Sequence, residues 1–359
     1  MTAAGVTTAT LLVMIGTTVV LAAVIVFGRA ARRLGDARRA RLAAPGRRAL
    51  LALAAGDGEP ATFTTLAHLE PAVWRAVEPT AVALLGKVRG EAHAALVSVF
   101  EARGMGERAL LDTRGGAVSR ARAAEVLGNL GRRDAVPALI ALLADADADV
   151  RNVATRALGR VGDPAAAPAL LAGLAAHRPL PPQVVADALI GIGTDGADAL
   201  VSALDDPAEL VRATAVEVLG LIGAITAARR IIDVLHGDPS PRVRERAAVT
   251  LGRLGTRSAL EPLLRTAASA QPPALRAAAT RALGDLGAMT AAPTLGGLLA
   301  DPQHAVAYAA AYALLRLGAH GRETLNHAAA TSSPRASGYA REALAVADLE
   351  QQRRAGAVR

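Results

Sequence analysis

The sequence predicts an all-α protein: an α-solenoid of stacked helix pairs, preceded by a single N-terminal transmembrane helix. Three observations carry that expectation. An uncharged apolar run opens the chain, one pattern recurs every 29 to 32 residues beyond it, and the spacing inside the pattern is that of one helix face.

The apolar run comes first. Residues 1–28 contain no charged side chain, and Val6–Phe27 spans 22 residues. As a helix it would be about 33 Å long, enough to cross a hydrocarbon core of roughly 30 Å. A cleaved leader would carry its basic residues before the apolar run and a small-residue cleavage site after it. Here the basic residues all follow, and Phe27-Gly28-Arg29 is a poor cleavage site. The eight arginines from Arg29 to Arg48 lie just past the span. The positive-inside rule therefore puts the N-terminus outside and the remainder in the cytoplasm of a single-pass cell-membrane protein. Residues 29–58 read as a basic juxtamembrane segment whose arginines meet anionic lipid headgroups, each contributing on the order of 1 kcal/mol. A solvated basic linker is the alternative.

Charge sharpens this division. The 359 residues carry 40 Lys+Arg against 32 Asp+Glu, a net +8 with a pI near 11.0. Such a value points first to nucleic acid. Its distribution points elsewhere: residues 1–58 hold +6 and residues 349–359 hold +2, which leaves 29 basic and 29 acidic groups between them. The expected divisions are thus an anchor (1–28), a basic segment (29–58), a neutral solenoid (59–348) and a basic tail (349–359). Zero cysteine excludes disulfides, thiolate metal sites and cysteine nucleophiles. The one lysine, Lys87, is followed by Val88, where a phosphate-binding loop needs Ser or Thr. Three Tyr, three Phe and one Trp are too few for a stacking platform on single-stranded nucleic acid.

The recurring pattern is a hydrophobe, then Arg (position zero), Ala at three, Leu at seven, Gly at eight and Gly at eleven. It is clean at Arg151, Arg212, Arg244 and Arg276, recurs at Arg120 behind Ser119 rather than a hydrophobe, and is degenerate at Arg89, Gln183, Ala307 and Ser337. The hydrophobe before the Arg and the apolar residues at three, seven and ten make one face of a helix, which the second glycine ends. A second apolar stretch follows, such as 135–143, often with a proline suited to a first helical turn. An Asp turn closes several units, at Asp145 to Asp149, Asp206-Pro207, Asp238-Pro239 and Asp301-Pro302. A single such pair cannot bury its apolar face, whereas stacked pairs can. The small Ala at three is expected to let neighbouring helices approach closely. Residues 61–86, with Trp74 and Glu78-Pro79, read as a helical cap on the first repeat.

These residues resemble the HEAT-repeat family, in its short form of about 30 residues named after phycobilisome lyases, over roughly residues 88–348. The layout of anchor plus array resembles membrane-anchored HEAT-repeat proteins of actinobacteria. The resemblance implies a ladder of turn aspartates and repeat arginines, here Asp149/Arg151, Asp206/Arg212 and Asp238/Arg244, with a structural role. The 183 unit departs from the pattern: it lacks the Arg and follows Arg178-Pro179-Leu180-Pro181-Pro182, either a partner loop or a tolerated insertion with Pro182 near a helix start.

Catalytic constellations fail one class at a time. Gly191–Gly196 matches G-x-G-x-x-G but sits at a repeat helix end with no preceding strand. The seven histidines form no H-x-x-H, H-E-x-x-H or His-Glu pair, and HEAT-type di-iron hydroxylases carry His-Glu motifs. No G-x-S-x-G occurs. The expectation is a protein that is not an enzyme and needs no cofactor or metal. What remains is a surface. Positions five and nine lie opposite the core face and form two columns. They give partner-binding candidates Arg156, Arg160, Ile192, Leu221, Val249, Arg253, Arg281, Tyr312 and Arg316: an apolar centre with arginines around it. The function expected is a cytoplasmic-face scaffold for a protein partner, a membrane enzyme being one class. The rivals are a lyase or isomerase of the phycobilisome-lyase-like group and, last, a HEAT-type nucleic-acid binder.

Overall fold

The computed structural model describes residues 29, 43–55, 60–331 and 333–357. The expected span Val6–Phe27 and most of the Arg29–Arg48 segment lie outside the described residues. Among the described residues no helix is long and apolar enough to cross a membrane, and all regular structure is helical. The chain divides into two units, Met1–Arg108 and Ala109–Arg359.

In the first unit a helical stretch at 43–54 is followed by α1 (Pro60–Ala67), α2 (Pro71–Leu85) and α3 (Gly90–Ala102), with α4 (Met105–Asp112) reaching across its end. Trp74 and Phe100 meet edge to face at 5.6 Å within a core that includes Leu66, Val77 and Leu96. The Arg103 guanidinium lies 4.2 Å over the Trp74 ring. Its Nη1 donates to the carbonyls of Leu66, Ala67 and Leu69, closing the C-terminal end of α1. Burial pushes the Arg103 guanidinium below its usual value. The copy at Arg89 falls in this unit.

The second unit is the repeat array. Its odd helices are the patterned ones: α5 (Ala117–Leu130), α7 (Ala148–Val161), α9 (Pro182–Ile192), α11 (Glu209–Leu221), α13 (Pro241–Leu254), α15 (Pro273–Leu286) and α17 (His304–Arg316). The even helices follow, mostly after a single 3-10 turn: α6 (Val136–Leu142), α8 (Ala167–Leu174), α10 (Ala197–Ser202), α12 (Ala228–Gly237), α14 (Leu260–Ala268), α16 (Ala292–Leu298) and α18 (Ala319–Thr331). α19 (Pro334–Ala357) runs straight through the tail boundary expected at 348. Odd helices stack on one another in order. The leucine at position seven (Leu127, Leu158, Leu219, Leu251, Leu283, Leu314) is fully buried in each. The terminal glycine ends each helix at positive φ, as at Gly162 (69°), where a side chain would be strained.

Close approach comes from a different position than the sequence suggested. Ala154 at three is core, but the tight contact is the glycine at eight against residue six of the next odd helix. A Cβ on Gly128, Gly159, Gly252 or Gly284 would lie 2.6–2.8 Å from the Cα of Ala157, Ala188, Ala282 or Ala313. This contact also corrects the register of the contracted unit. Ala188 is position six only if Pro182, not Gln183, is position zero, and Leu189 then becomes the buried leucine at seven. Pro182 is the first residue of α9. In that register position eight is Ile190 and position six of the following helix is Val218. Bulk on both sides replaces the glycine contact, and α9 and α11 pack far more loosely than the other neighbouring odd helices.

The ladder also differs from the expected pairs. Each rung joins an arginine to the aspartate of the following turn. Arg120 Nε and Nη2 donate to Asp145 at 2.6 and 2.8 Å, and Arg212 donates to Asp238 at 2.7 and 3.0 Å. Arg276 pairs with Asp301 through Nη1 and Nη2, while its Nε donates to the Ala267 carbonyl at 3.1 Å. Arg212 Nη1 meanwhile donates to the Asp206 and Pro207 carbonyls at 2.9 and 3.1 Å. One guanidinium therefore ties two successive turns together. Asp149 is not Arg151's partner; it lies exposed in the first turn of α7, whose cap is Asp147. Arg244 reaches Gln271 rather than Asp238.

The Arg120 hydrogen bonds hold the Asp145 carboxyl below the usual carboxylate range, and the Asp147 amide adds to the effect. A carboxylate depressed on folding stabilises above its unfolded value, about 3.9, and that contribution is lost as pH falls through the folded value. The urea midpoint should therefore drop on acidification below about pH 4, and Asp145→Asn should flatten part of that drop. An unchanged acid slope in the variant would exclude this rung as a source.

Candidate partner-binding face

Positions five and nine of the odd helices place most of the predicted side chains at the surface. Arg156 and Arg160 are exposed on α7. The Arg160 guanidinium is lowered from its usual value, chiefly by burial in surrounding protein. Glu125 on α5 opposes that shift and Arg156 adds to it. Leu221 and Val249 are 44% and 41% exposed, large values for branched apolar side chains in a packed array.

Ile192 is a correction. It is 6% exposed and belongs to the core. It directly precedes Gly193, which ends α9 at φ 76°, so it occupies the place that Val161 holds before Gly162. The one-residue slip in register moved a core residue onto the predicted surface. Ala188 is buried for the same reason. With Pro182 as origin, positions five and nine of this helix are Asp187 and Gly191, both exposed, and the exposed apolar side chain on α9 is Ile190 at position eight, 37% exposed.

Farther along, Val249, Arg253 and Arg281 line one cavity of about 340 Å³ together with Glu217, Arg242 and Arg246. Arg246 is engaged by Glu217, and Arg316 by Asp285 of the preceding odd helix. Arg156, Arg160, Arg253 and Arg281 have no carboxylate partner among the described residues. The face thus has two kinds of cation: some neutralised between neighbouring repeats and some uncommitted.

Tyr312 belongs to a cluster that the column argument missed. It lies 4.5 Å from Tyr308, ring centroid to centroid, and its hydrogen bond with Tyr308 pushes its hydroxyl up to about 12. His304 Nδ1 lies 2.7 Å from the Tyr339 hydroxyl. The chain has three tyrosines, and all are here. Their confinement to residues 308–339 was the available signal. Among the described residues, no three His, Cys, Asp or Glu side chains come together as a metal site would need.

The family model described as HEAT repeats matches residues 109–191, 197–283 and 261–346. No curated protein sequence matches the chain. Among solved structures, the complex of CpcE and CpcF of phycocyanin lyase from Nostoc sp. is 26% identical with a TM-score of 0.32, over 62% of this chain and 92% of that one. Human deoxyhypusine hydroxylase is 22% identical with a TM-score of 0.31, over 71% and 93%. Kap95p, in a structure of its binding to RanGDP, is 12% identical with a TM-score of 0.51, over 86% of this chain and 51% of that one. That last likeness concerns the fold alone.

Proposed function

This chain belongs to the HEAT-repeat family, and from that premise we propose that it is a membrane-anchored, non-enzymatic scaffold holding a protein partner on the cytoplasmic face. The observation that supports this most is the state of the odd-helix surface. Leu221 and Val249 stand exposed, and Arg156, Arg160, Arg253 and Arg281 have no carboxylate at ion-pair distance among the described residues. Exposed apolar side chains with arginines around them match the apolar core and arginine-enriched surround of a protein interface. Anchoring rests on the sequence: an uncharged span at Val6–Phe27 followed by eight arginines. A tether of this kind raises the effective concentration of a partner that is itself at the membrane, a membrane enzyme included.

The test is affinity purification of the full chain from its own membranes. Leu221→Asp with Val249→Asp should reduce the co-purifying partner roughly tenfold or more while leaving helicity and membrane location as they were. Both side chains are exposed, so the fold should tolerate the change. An unchanged set of co-purifying proteins would sink the assignment to this face.

A further inference from the structure

A groove lies between α6 and α8, away from the odd-helix face. Two grooves of the array are the same feature seen 61 residues apart. One, of about 530 Å³, is lined by Asp206, Arg212, Arg230, Asp233, Val234 and Asp238, among others. The other, of about 430 Å³, has Ala169, Ala172 and Gly173 where the first has Arg230, Asp233 and Val234. His177 replaces Asp238, and Arg178 replaces Pro239. The polar groove is closed by its own rung, Arg212 on Asp238. The apolar one has lost the carboxylate half of its rung.

The arginine half is still in position. Arg151 Nη1 donates to the carbonyls of Asp145 and Ala146 at 2.9 and 3.1 Å, just as Arg212 Nη1 does to Asp206 and Pro207. In Arg212 the other edge, Nε and Nη2, grips Asp238. The same edge of Arg151 meets no carboxylate among the described residues. Among the described residues, His177 and Arg178 at the rim likewise have no hydrogen-bond or ion-pair partner. The proline-rich insertion builds that rim. Leu180 is buried beneath Gly173, where a Cβ would lie 2.4 Å from its Cδ1, and its amide donates to the Gly173 carbonyl at 2.9 Å. The loop is therefore pinned, with His177 and Arg178 held over a floor of Ile140, Leu143, Ala169 and Ala172.

We propose that this groove binds an acidic polypeptide segment of a partner, whose Asp or Glu carboxylate completes the rung on Arg151 and Arg178 while a neighbouring apolar side chain fills the alanine floor. Three features select that occupant. Among the described residues Arg151 and Arg178 form no ion pair, so a carboxylate is the complementary charge. The filled rungs show what the site takes: an aspartate in a peptide turn, which also accepts the amide two residues on, as Asp238 does from Ser240 at 2.8 Å. The floor is apolar and its volume falls toward the lower end of ligand pockets, roughly 300–1,000 Å³.

The probe is a fluorescein-labelled peptide of alternating leucine and aspartate, added to the full-length chain and followed by anisotropy. His177→Asp supplies the missing carboxylate from within, so it should raise the urea midpoint and weaken peptide binding at least tenfold. Arg178→Glu should weaken binding without the gain in stability. Unchanged affinity in His177→Asp overturns the proposal. So does equal binding of a peptide with asparagine for aspartate, or a loss of binding in Arg253→Glu that the groove variants do not show. Apart from the Arg253→Glu outcome, which would move peptide binding to the odd-helix face, none of these results bears on that face, whose own test is co-purification.

Discussion

Gly159→Ala should destabilise the second unit by roughly 2–3 kcal/mol, although the same change in an open helix gains about 1 kcal/mol. The sign reverses because the new Cβ has backbone in front of it. It would lie 2.6 Å from the Cα of Ala188 and 3.0 Å from its carbonyl oxygen. No rotamer can relieve that contact, so α7 and α9 must separate, which loosens Leu158 and Leu189 between them. Gly297→Ala is the control. Gly297 lies within α16 and has nothing within 4 Å of its would-be Cβ, so the substitution should stabilise by roughly 0.5–1 kcal/mol. Denaturant midpoints of the two variants should move in opposite directions. Movement in the same direction would contradict the close stacking.

Asp238→Ala should cost roughly 3 kcal/mol, the lower end for breaking a buried ion pair. The side chains of Arg212 and Asp238 are 10% and 3% exposed. Removing the carboxylate leaves the guanidinium buried beside two carbonyls and takes the acceptor from the Ser240 amide. The residual carbonyl bonds keep the cost at the low end. The double variant Arg212→Met with Asp238→Leu should be markedly more stable than Asp238→Ala, since no charge is then stranded. If the double variant is the less stable of the two, the rung contributes more than charge compensation.

The repeat was legible because its signal is written several times over. The leucines at seven, the paired glycines and the arginine each recur, so a helix face could be read despite noise in any single unit. The register of the 183 unit was harder to read. Its arginine is replaced, so an origin at Gln183 puts the terminal glycine one residue early; Leu189 and Gly193 count back to Pro182, and the fit of Gly159 against Ala188 fixes that origin. Ile192 was misplaced for that reason alone. The rungs were misassigned because arginine and aspartate are close in sequence within one turn, whereas the bond forms to the next turn, 25 or 26 residues on. The tyrosine cluster escaped because a column argument follows one helix face, while Tyr339 comes from α19 and meets His304 across helices.

The loose fit at Ile190 and Val218 bears on how the array melts. A linear array behaves as a chain of intrinsic repeat stabilities linked by nearest-neighbour terms, and it loses order first wherever a link is weakest. Every other odd-helix link from α5 to α17 has a glycine or alanine in close contact, with Thr250 the largest residue against Gly220. The link between α9 and α11 has none. The two flanking blocks are therefore expected to behave as separate cooperative units, with amide exchange rates changing abruptly near residue 200 rather than grading smoothly toward the ends.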